Sequence, residues 1–559
     1  MKLLHFELFG QYKGLANQQF DFSDAPGKVI VLIGLNGSGK SQLMELIAEA
    51  FAYLERRKRT DFRVRKPLKY RFNLTYEWSD DGNDRERLSR YRVQLEADQS
   101  LLVCRSTSIP AVAMYEDEVI AKWSPEKYCV LADLPLPRLI GYASGLNENL
   151  QRSFMRNALQ YFDVMCTRSR RRIELAQPNV DADDFEEINH KYRRRFPGIF
   201  GAPSASDIDD PLRTRESDTP LPSSLFLDYD CTNLVVAALG LLGDAERDAL
   251  WPEIRLRHPR KVVLQYDLRR APVEQDSIED LKQLVRGVGD GGIRGLSVRT
   301  TDEQYELYEL NYLRAEITID FMDPNVVGQL REIYPDPARL FWKLYKLQLL
   351  GVGQWSPKIR KVLRDDALDE HVKKPIKGKL PLIVVQLELS DGEHFAQIDD
   401  LSDGEAQLLH TIGAVKLFGD AESLFIFDEP ETHLNPSWRT RYHLGFEQAG
   451  RGLITSQALI SSHSPFLISS LHRKAVYHFE RIDGQSVVAS PPSETFGASF
   501  EVLIKKFFGL RSAISQTAVD EIRSHLNDVN MDNAHKRQWI EEQLGESMER
   551  AYLLQRLEG

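Results

Sequence analysis

The sequence predicts an α/β protein in which two separate segments build one head and a large, mainly helical insertion lies between them. Three observations support this prediction. An apolar run from Lys28 to Ile33 precedes a glycine-rich loop and then a helical spacing of apolar residues. A second apolar run, starting at Leu424, ends in two carboxylates. Between these runs lies a long stretch whose composition differs from that of both ends.

The length of 559 residues suggests three or four structural units, because one domain usually takes roughly 100–200 residues. A hydrophobic content of 42% with 28% charged residues excludes a wholly disordered chain. The net charge of −11 argues against a protein coated in positive charge, but it leaves room for a local basic groove.

The spacing of the cysteines and the length of the apolar segments indicate in which cellular compartment the protein resides. The four cysteines are widely spaced and include no C-x-x-C pair, which argues against a disulfide framework and a zinc finger. Glu7 interrupts the apolar core that a signal peptide would need. No apolar run reaches the ~20 residues of a membrane-spanning helix. We therefore expect a cytoplasmic protein without a membrane partner.

Residue patterns divide the chain into three predicted parts. Residues 1–150, where strand patterns surround one helical segment, form the N-terminal lobe of the head. Residues 151–379 form the insertion, with an exposed and mobile loop near residues 176–224 that is rich in charge, proline and serine. Residues 380–559 form the C-terminal lobe, in which strands alternate with helices before a mainly helical end.

The loop at residues 34–41 fits the pattern G-x-x-x-x-G-K-[ST], after an apolar strand and before an amphipathic helix. Backbone N–H groups of such a loop surround a phosphate, and the helix N-terminus adds its positive dipole. Lys40 would reach the β- and γ-phosphates of ATP, and Ser41 would bind Mg²⁺. The alternative is a glycine-rich turn that binds nothing. The candidate ATP-binding residues are Asn36, Gly37, Ser38, Gly39, Lys40 and Ser41.

The second apolar run ends in Asp428 and Glu429. A buried strand can deliver Asp428 beside the phosphate loop, where it would hold Mg²⁺. Glu429 would then orient or deprotonate the attacking water. Alone, such a segment is more often a buried strand that runs into a loop. Together with the phosphate loop, it is a candidate Walker B strand.

Two further motifs lie near this strand. Ser402 and Glu405 flank Gly404 and fit the S-x-x-E pattern of a capping box at the start of a helix. The functional interpretation is that this helix end meets the γ-phosphate bound to another subunit. Both interpretations can hold together. His463 follows a later apolar segment, and a lone histidine is usually structural. Its place after the Walker B candidate favours a role in sensing the γ-phosphate.

The set GLNGSGKS, LSDGE, LFIFDEPETHLNP and ISSHSP resembles the ABC-type ATPase heads of the RecF, SMC and OLD group. The resemblance implies that ATP and Mg²⁺ bind, with Glu429 as the catalytic glutamate and His463 as the switch histidine. It assigns Ser402, Gly404 and Glu405 to the signature motif. It further implies an ATP sandwich between two copies of the chain, as a homodimer or a higher even oligomer.

Two positions qualify this resemblance. Asn435 stands where the group usually has a D-loop aspartate, which weakens the case for coupling between subunits through that position. Lys13 occupies the approximate place of a basic nucleotide-contacting residue.

Two motifs of related proteins are missing from the sequence. Neither the carboxylate cluster of an OLD-type nuclease domain after His463 nor a C-x-x-C hook is found in it. We therefore expect an ATPase that is not itself a nuclease.

At finer grain the layout is similar to the restriction-system-associated AAA-family ATPases, which include the PtuA-type ATPase subunit of Septu and retron-associated antiphage systems. The segment from Glu494 to Ser499 contributes to this likeness. The resemblance implies a regulatory ATPase with a separate HNH nuclease as its partner, and with a complex of reverse transcriptase and non-coding RNA as a further partner. The alternative is a DNA-binding repair or maintenance ATPase of RecF/SMC type without a nuclease effector.

Two arginine-rich clusters are candidates for contact with DNA or RNA. One lies within residues 56–71 and begins with Arg56, and the other lies within residues 168–172. The usual structure of such a cluster is a solvated, charge-balanced face. The functional alternative is a groove that follows the phosphate backbone without reading sequence.

Overall fold

We analysed a computed structural model of the chain. It describes residues 1–58, 67–79, 88–109, 122–145, 148–175, 177–195, 224–270, 275–296, 312–364, 380–420, 422–450, 455–510, 514–528 and 530–558. The chain divides into two compact units, Met1–Gly497 and Ala498–Gly559.

The described strands belong to the first unit. In chain order they are β1 (Lys2–Tyr12), β2 (Leu15–Asp21), β3 (Val29–Gly34), β4 (Arg71–Ser79), β5 (Leu88–Leu95), β6 (Leu101–Ile109), β7 (Lys122–Trp123), β8 (Lys127–Tyr128), β9 (Arg138–Ala143), β10 (Ser224–Leu227), β11 (His258–Asp267), β12 (Ile293–Gly295), β13 (Arg314–Asp320), β14 (Leu382–Ser390), β15 (Phe395–Gln397), β16 (Ser423–Asp428), β17 (Gln457–Ser462), β18 (Val476–Ile482) and β19 (Gln485–Ala489).

The described helices occur in both units. Those of the first unit are α1 (Lys40–Lys58), α2 (Glu148–Leu175), α3 (Ala182–Arg195), α4 (Tyr229–Leu239), α5 (Asp244–Leu250), α6 (Gln275–Val288), α7 (Pro324–Ile333), α8 (Pro337–Leu349), α9 (Pro357–Arg364), α10 (Asp403–Phe418), α11 (Pro436–Ala449) and α12 (Pro465–Ser469). Those of the second unit are α13 (Phe500–Phe507), α14 (Gln516–Asn527), α15 (Asn533–Gln543) and α16 (Met548–Glu558).

A mixed sheet, the central sheet, carries the phosphate loop. Its strand order is β10-β9-β16-β17-β3-β18-β19, and every pairing from β10 to β18 is parallel. Every residue of β3, β16 and β17 is buried, as expected for parallel strands that are covered on both faces. Because carboxyl ends of parallel strands share one edge, the residues that follow β3, β16 and β17 meet there. The α/β fold class predicted from the sequence is confirmed.

An antiparallel sheet packs against the opposite side of α1. Its order is β2-β1-β4-β5-β6-β7, and β8 also pairs with β6. Burial alternates along β5, so that one face of the strand is covered and the other is open. A single hydrophobic core contains Phe72 of this sheet, Leu46 of α1 and Leu459 of the central sheet. Helix α1 is therefore held on both sides, which fixes the loop that precedes it.

A third sheet, of order β12-β13-β11-β14-β15, joins strands from both sides of the predicted boundary at residue 380. Helices occupy most of the described residues between 151 and 379, but β10 from the same stretch completes one edge of the central sheet. The stretch thus supplies strands to two sheets as well as helices. The domain boundaries drawn from the sequence stay a prediction.

The sequence predicts an exposed, mobile loop near residues 176–224, but part of this range is the helix α3. Three side chains spaced by three or four residues, Phe185, Asn189 and Tyr192, are buried along one face of the helix. Asp183 and Asp184 lie in its first turn, where negative charge stabilises a helix dipole. The prediction is wrong for residues 182–195, because a charged segment with one buried face forms a helix. Residues 196–223 lie outside the described residues.

No helix among the described residues is both long and apolar enough to span a bilayer.

Candidate functional site

The loop between β3 and α1 adopts a conformation that depends on glycine. Gly34 has φ +140°, and a Cβ atom there would lie 2.2 Å from the carbonyl oxygen of Phe479. Gly37 lies in the left-handed region at φ +78°. Asn36 is exposed at the loop tip, whereas Ser38 is buried and its hydroxyl has no hydrogen-bond partner among the described residues. An unpaired hydroxyl at this position suits an incoming phosphate oxygen, and the N-terminus of α1 adds its positive dipole.

The Lys40 ammonium lies inside this loop. Its Nζ donates to the carbonyl oxygens of Gly34 at 2.8 Å and Leu35 at 3.2 Å. Burial lowers the pKa of Lys40 from 10.5 to about 8, although the carboxylates of Glu429 and Asp428 act in the opposite direction. Lys40 is thus a buried cation whose backbone partners a phosphate could replace.

Ser41 and Asp428, which are 387 positions apart, meet at the edge of the central sheet. Ser41 Oγ donates to Asp428 Oδ1 at 3.1 Å. The hydroxyl of Ser461, at the end of the neighbouring strand β17, donates to the same oxygen. The register of β16 and β17 places Asp428 directly opposite Ser461. A hydroxyl and a carboxylate are oxygen ligands of the kind that Mg²⁺ takes together with water and phosphate, so this pair fits the predicted metal.

Glu429 and His463 form the second part of the site. Glu429 Oε1 lies 3.2 Å from His463 Nε2. The hydrogen bond from His463 is the main cause that lowers the pKa of Glu429, with burial opposing it. Glu429 has φ +52°, and its backbone N–H donates to Ser461 Oγ at 3.1 Å. The left-handed backbone conformation is uncommon for a residue other than glycine, and here the hydrogen bond to Ser461 helps to hold it.

The sequence interpretation missed the second serine of β17 and the acid that it contacts. Ser462 Oγ donates to Glu431 Oε1. Glu431 is 3% exposed, and burial raises its pKa from 4.5 to about 7 although the Ser462 hydroxyl opposes the shift. The backbone N–H of Ser464 donates to Ser462 Oγ at 2.9 Å. Glu431 therefore holds, through Ser462, the turn that carries His463. In the sequence, the only local indication of this contact is the pair of serines that follows an apolar run.

Lys13 lies near the start of α1, as its predicted role requires, but its ammonium forms an ion pair with Glu45. The loop is fixed there because Gly14 N–H donates to Gln42 Oε1 at 3.0 Å. Glu45 also pairs with Arg152 of α2 at 2.7 Å. The geometry therefore brings Lys13 to the helix that follows the phosphate loop, while its contact with nucleotide stays a prediction.

The predicted signature residues form the N-terminus of α10. Ser402 caps the helix by accepting from the Glu405 backbone N–H at 3.3 Å, and Glu405 Oε2 accepts from the Ser402 backbone N–H at 3.0 Å. The capping box is confirmed. Gly404 packs so tightly that a Cβ atom would lie 2.8 Å from the carbonyl oxygen of His433. Within the described part of the chain, no hydrogen bond joins Ser402 or Glu405 to the phosphate loop.

Asn435, at the position of the expected D-loop aspartate, caps α11. Its side chain accepts from the backbone N–H of Trp438 at 2.9 Å. Arg439 holds the preceding loop through the carbonyl oxygens of Leu434 and Thr432, both at 2.7 Å. The asparagine is therefore explained by helix capping, and the loop after Glu429 is held rigidly by its own helix.

The two arginine-rich clusters contain both buried and exposed basic residues, and Lys69, Arg71 and Arg170 are exposed. Arg56 is 5% exposed and donates to the buried Glu49 at 3.1 Å. Arg171 is 4% exposed and donates to Asn189 of α3 at 2.6 and 2.9 Å. Arg56 also donates to Asn157 of α2 at 3.4 Å, so both guanidinium groups join two helices. The contact of the two clusters with DNA or RNA stays a prediction. Residues 59–66, and the side chains of Arg168 and Arg172, lie outside the described residues.

Two comparisons concern sequence. Residues 301–469 match the model of a family described as "AAA domain, putative AbiEii toxin, Type IV TA system". A segment of 132 residues is 27% identical to protein ea59 of Escherichia phage lambda, which corresponds to 22% of this chain. The match spans only 24% of the length of ea59. The AAA-domain match, which includes β16 and β17, supports an ATPase of this general type.

Solved structures of ATPase heads align with the chain at low similarity. The Smc head domain of Pyrococcus furiosus with an extended coiled coil, bound to the C-terminal domain of ScpA, aligns at 13% identity and a TM-score of 0.26, covering 93% of this chain and 99% of that one. The SMC head domain of Thermotoga maritima aligns at 9% identity and a TM-score of 0.28, covering 88% and 100%. The recombination mediator protein RecF with ATP aligns at 10% identity and a TM-score of 0.26, covering 88% and 97%.

Proposed function

We propose that the protein is an ATP-binding and ATP-hydrolysing regulatory subunit of a bacterial antiphage defence complex. It controls a separate nuclease of HNH type through nucleotide-dependent dimerisation of its heads. The observation that carries the ATPase assignment is the meeting of Ser41 and Asp428, at 3.1 Å, beside the pair of Glu429 and His463. A glycine-rich loop, a buried lysine, an acidic strand end and a candidate base converge at one edge of a parallel sheet.

ATP is held by charge and by backbone donors. Lys40 exchanges its bonds with the loop carbonyls for the β- and γ-phosphates, and the N-terminus of α1 adds its dipole. Ser41 and Asp428 hold Mg²⁺, which when bound neutralises charge on the phosphates. Lys13 reaches the nucleotide from the loop between β1 and β2, next to the first turns of α1.

Glu429 is the general base. Its carboxylate is ionised at neutral pH, as a glutamate ordinarily is, and accepts a proton from the attacking water. Before ATP binds, the contact with His463 holds that carboxylate in place. The γ-phosphate offers His463 a stronger partner, so its arrival frees Glu429 for the attacking water. His463 thus reports the presence of ATP to the base.

A second copy completes the site. The capped end of α10, with Ser402 exposed, carries the positive end of a helix dipole. In the sandwich this end, with Ser402, Gly404 and Glu405, faces the γ-phosphate held by the other copy. ATP binding then joins two heads, and hydrolysis releases them.

The antiphage role is supported by the likeness of the motif set and layout to PtuA-type ATPases. The similarity of residues 301–469 to a family described by a putative toxin of a Type IV TA system is consistent with it. A complex of reverse transcriptase and non-coding RNA is a further proposed partner. The alternative is a repair ATPase that binds DNA by itself, and because Arg56 and Arg171 are buried, it would have to use other basic residues of the two clusters.

The ATPase assignment is tested with purified wild type, Lys40→Ala and Glu429→Gln. We expect Lys40→Ala to abolish nucleotide binding. Loss of a general base lowers turnover by about 10²–10⁴-fold, so Glu429→Gln should bind ATP and accumulate as a dimer. Glu332→Gln, at an exposed position of α7, is the matched control. Equal ATP turnover in all four proteins would contradict the assignment.

The regulatory role is tested by purifying tagged wild type and Lys40→Ala protein from the native host and identifying partners by mass spectrometry. We expect an HNH nuclease that co-purifies with the wild type in a manner that depends on ATP, and a changed association with Lys40→Ala. Tight, salt-sensitive DNA binding by the isolated chain, without a nuclease partner, would favour the repair ATPase instead.

A further inference from the structure

Gln407 lies one turn beyond the signature residues on α10 and uses both ends of its amide. Its Nε2 donates to the phenol oxygen of Tyr142 at 2.9 Å, and its Oε1 accepts from the backbone N–H of His433 at 3.0 Å. The side chain is 5% exposed. A backbone N–H can only donate, so the amide orientation is fixed by its partners. Glutamine is suited to this position because it donates and accepts at once.

The partners of Gln407 lie on either side of the acidic pair. Tyr142 of β9 stands opposite Phe427 of β16 in the central sheet, and their rings lie 5.6 Å apart. His433 lies four positions after Glu429, in the loop that Arg439 holds. Gln407 therefore connects α10 with β9, the neighbour of the strand that ends in Asp428, and with the loop that follows Glu429.

A second contact joins the same elements. The carbonyl of His433 packs against Gly404, where a Cβ atom would lie 2.8 Å from its oxygen. The backbone of His433 is thus held at its carbonyl by Gly404 and at its N–H by the Gln407 amide. We expect a displacement of α10 to move the backbone of His433, because both contacts act on that backbone directly.

We propose that Gln407 is a positioning residue that couples the two nucleotide sites of the dimer. The inference rests on the proposed function, in which the N-terminus of α10 faces the γ-phosphate held by the second copy. Nucleotide bound by the second copy then shifts α10, and Gln407 transmits the shift to the loop that follows Glu429 of its own copy. Hydrolysis at one site becomes dependent on occupancy of the other.

The test compares Gln407→Leu with the wild type and with Gln348→Leu. Gln348 is also a buried glutamine, and it lies on α8, outside the described site. Its amide donates to the Leu382 carbonyl at 3.4 Å. ATP turnover is measured against ATP concentration and protein concentration, and nucleotide binding is measured with a fluorescent ATP analogue at low protein concentration. A thermal melt of each variant checks its fold.

We expect a Hill coefficient above 1 in the wild type and in Gln348→Leu, and a value near 1 in Gln407→Leu. Maximal turnover of Gln407→Leu should fall about tenfold, which is within the ~10²-fold that a small misplacement of a catalytic group can cost. Its affinity for the analogue should stay within about twofold of the wild type, because no phosphate contact is removed. A purely structural role would lower the melting temperature without changing the Hill coefficient.

Tyr142→Phe removes the phenol oxygen and leaves the bond to His433, so it decides the matter if Gln407→Leu does not fold. We expect a lowered Hill coefficient here as well. An unchanged Hill coefficient in a folded variant, with cooperative turnover in the wild type, would overturn the inference about Gln407 alone. Wild-type protein that does not hydrolyse ATP, or whose turnover per chain is independent of protein concentration, would overturn the proposed function itself.

Discussion

Replacing Glu431 with glutamine tests the protonation of a buried acid next to the catalytic pair. One carboxylate oxygen accepts from Ser462, and Oε2 has no hydrogen-bond partner among the described residues. Burial raises the pKa of this carboxyl from 4.5 to about 7. Its charged neighbours are Glu429, which favours the neutral acid, and Arg439, which favours the carboxylate. Glutamine keeps the shape and an acceptor for Ser462 but cannot ionise.

The magnitude follows from the difference between the folded and unfolded pKa. A folded pKa above the unfolded value means that the stabilising contribution of this carboxyl is complete below pH 4.5 and is lost as the pH rises through 7. Each pKa unit corresponds to about 1.4 kcal/mol, so the shift corresponds to roughly 3 kcal/mol of unfolding free energy. The stability of Glu431→Gln relative to the wild type should therefore increase by that amount between pH 4.5 and 7.

The assay is urea unfolding of both proteins at pH 5, 6, 7 and 8, followed by intrinsic fluorescence. The buried amide of Glu431→Gln leaves a donor unpaired, which costs about 1–3 kcal/mol at every pH, so the slope with pH decides and the absolute value does not. The exposed substitution Glu332→Gln is the control and should follow the wild type. A stability difference between Glu431→Gln and wild type that does not change from pH 5 to pH 8 would refute the reasoning.

Two further predictions concern buried contacts. Arg156→Met should lower the free energy of unfolding by about 3–5 kcal/mol, because it leaves the fully buried Glu49 with one cation fewer. Urea unfolding measures this change, and a loss of less than about 1 kcal/mol would contradict the prediction. Ser461→Ala removes a hydroxyl that donates to Asp428 and accepts from the Glu429 backbone N–H. Maximal ATP turnover should therefore fall about tenfold, and the Mg²⁺ concentration needed for half-maximal turnover should rise. The melting temperature should change little. Unchanged turnover at limiting Mg²⁺ would exclude this role of Ser461.

The phosphate loop and the strands beside it could be predicted because their signals are local. The apolar run of β3, the glycines with positive φ and the helical spacing of α1 lie within some thirty residues of one another. The same holds for the run that ends in Asp428. The contact between the phosphate loop and the end of the acidic strand could be inferred, because both motifs serve the binding of ATP and Mg²⁺. The hydrogen bond from Ser41 to Asp428 agrees with that inference.

The supporting contacts could not be predicted because they depend on which strands are neighbours. Ser461 and Ser462 acquire their roles only when β17 lies beside β16 in the observed register. The position of Gln407 between Tyr142 and His433 joins three distant segments. No spacing in the sequence indicates such a contact.

The burial of Arg56 could not be predicted from the sequence for a related reason. A run of charge is predicted as exposed, yet Arg56 lies two turns after Glu49 on the buried face of α1. Its charge is neutralised by residues on its own helix and not by solvent. The side on which a charged residue faces is set by the packing of α2 against α1, which the local pattern does not contain.

The order of strands in the central sheet has a consequence for synthesis of the chain. Strand β3 pairs with β17 and β18, in which Ala458 is opposite Val29 and Val476 is opposite Val31. At roughly 5–20 residues per second, a ribosome needs about 20–90 s to make the chain between Val29 and Ala458. During this time an apolar strand has both edges unpaired, which is the condition that favours aggregation. The nucleotide site therefore cannot form before β17 and β18 have been made, and we expect β3 to be open to unwanted pairing until then.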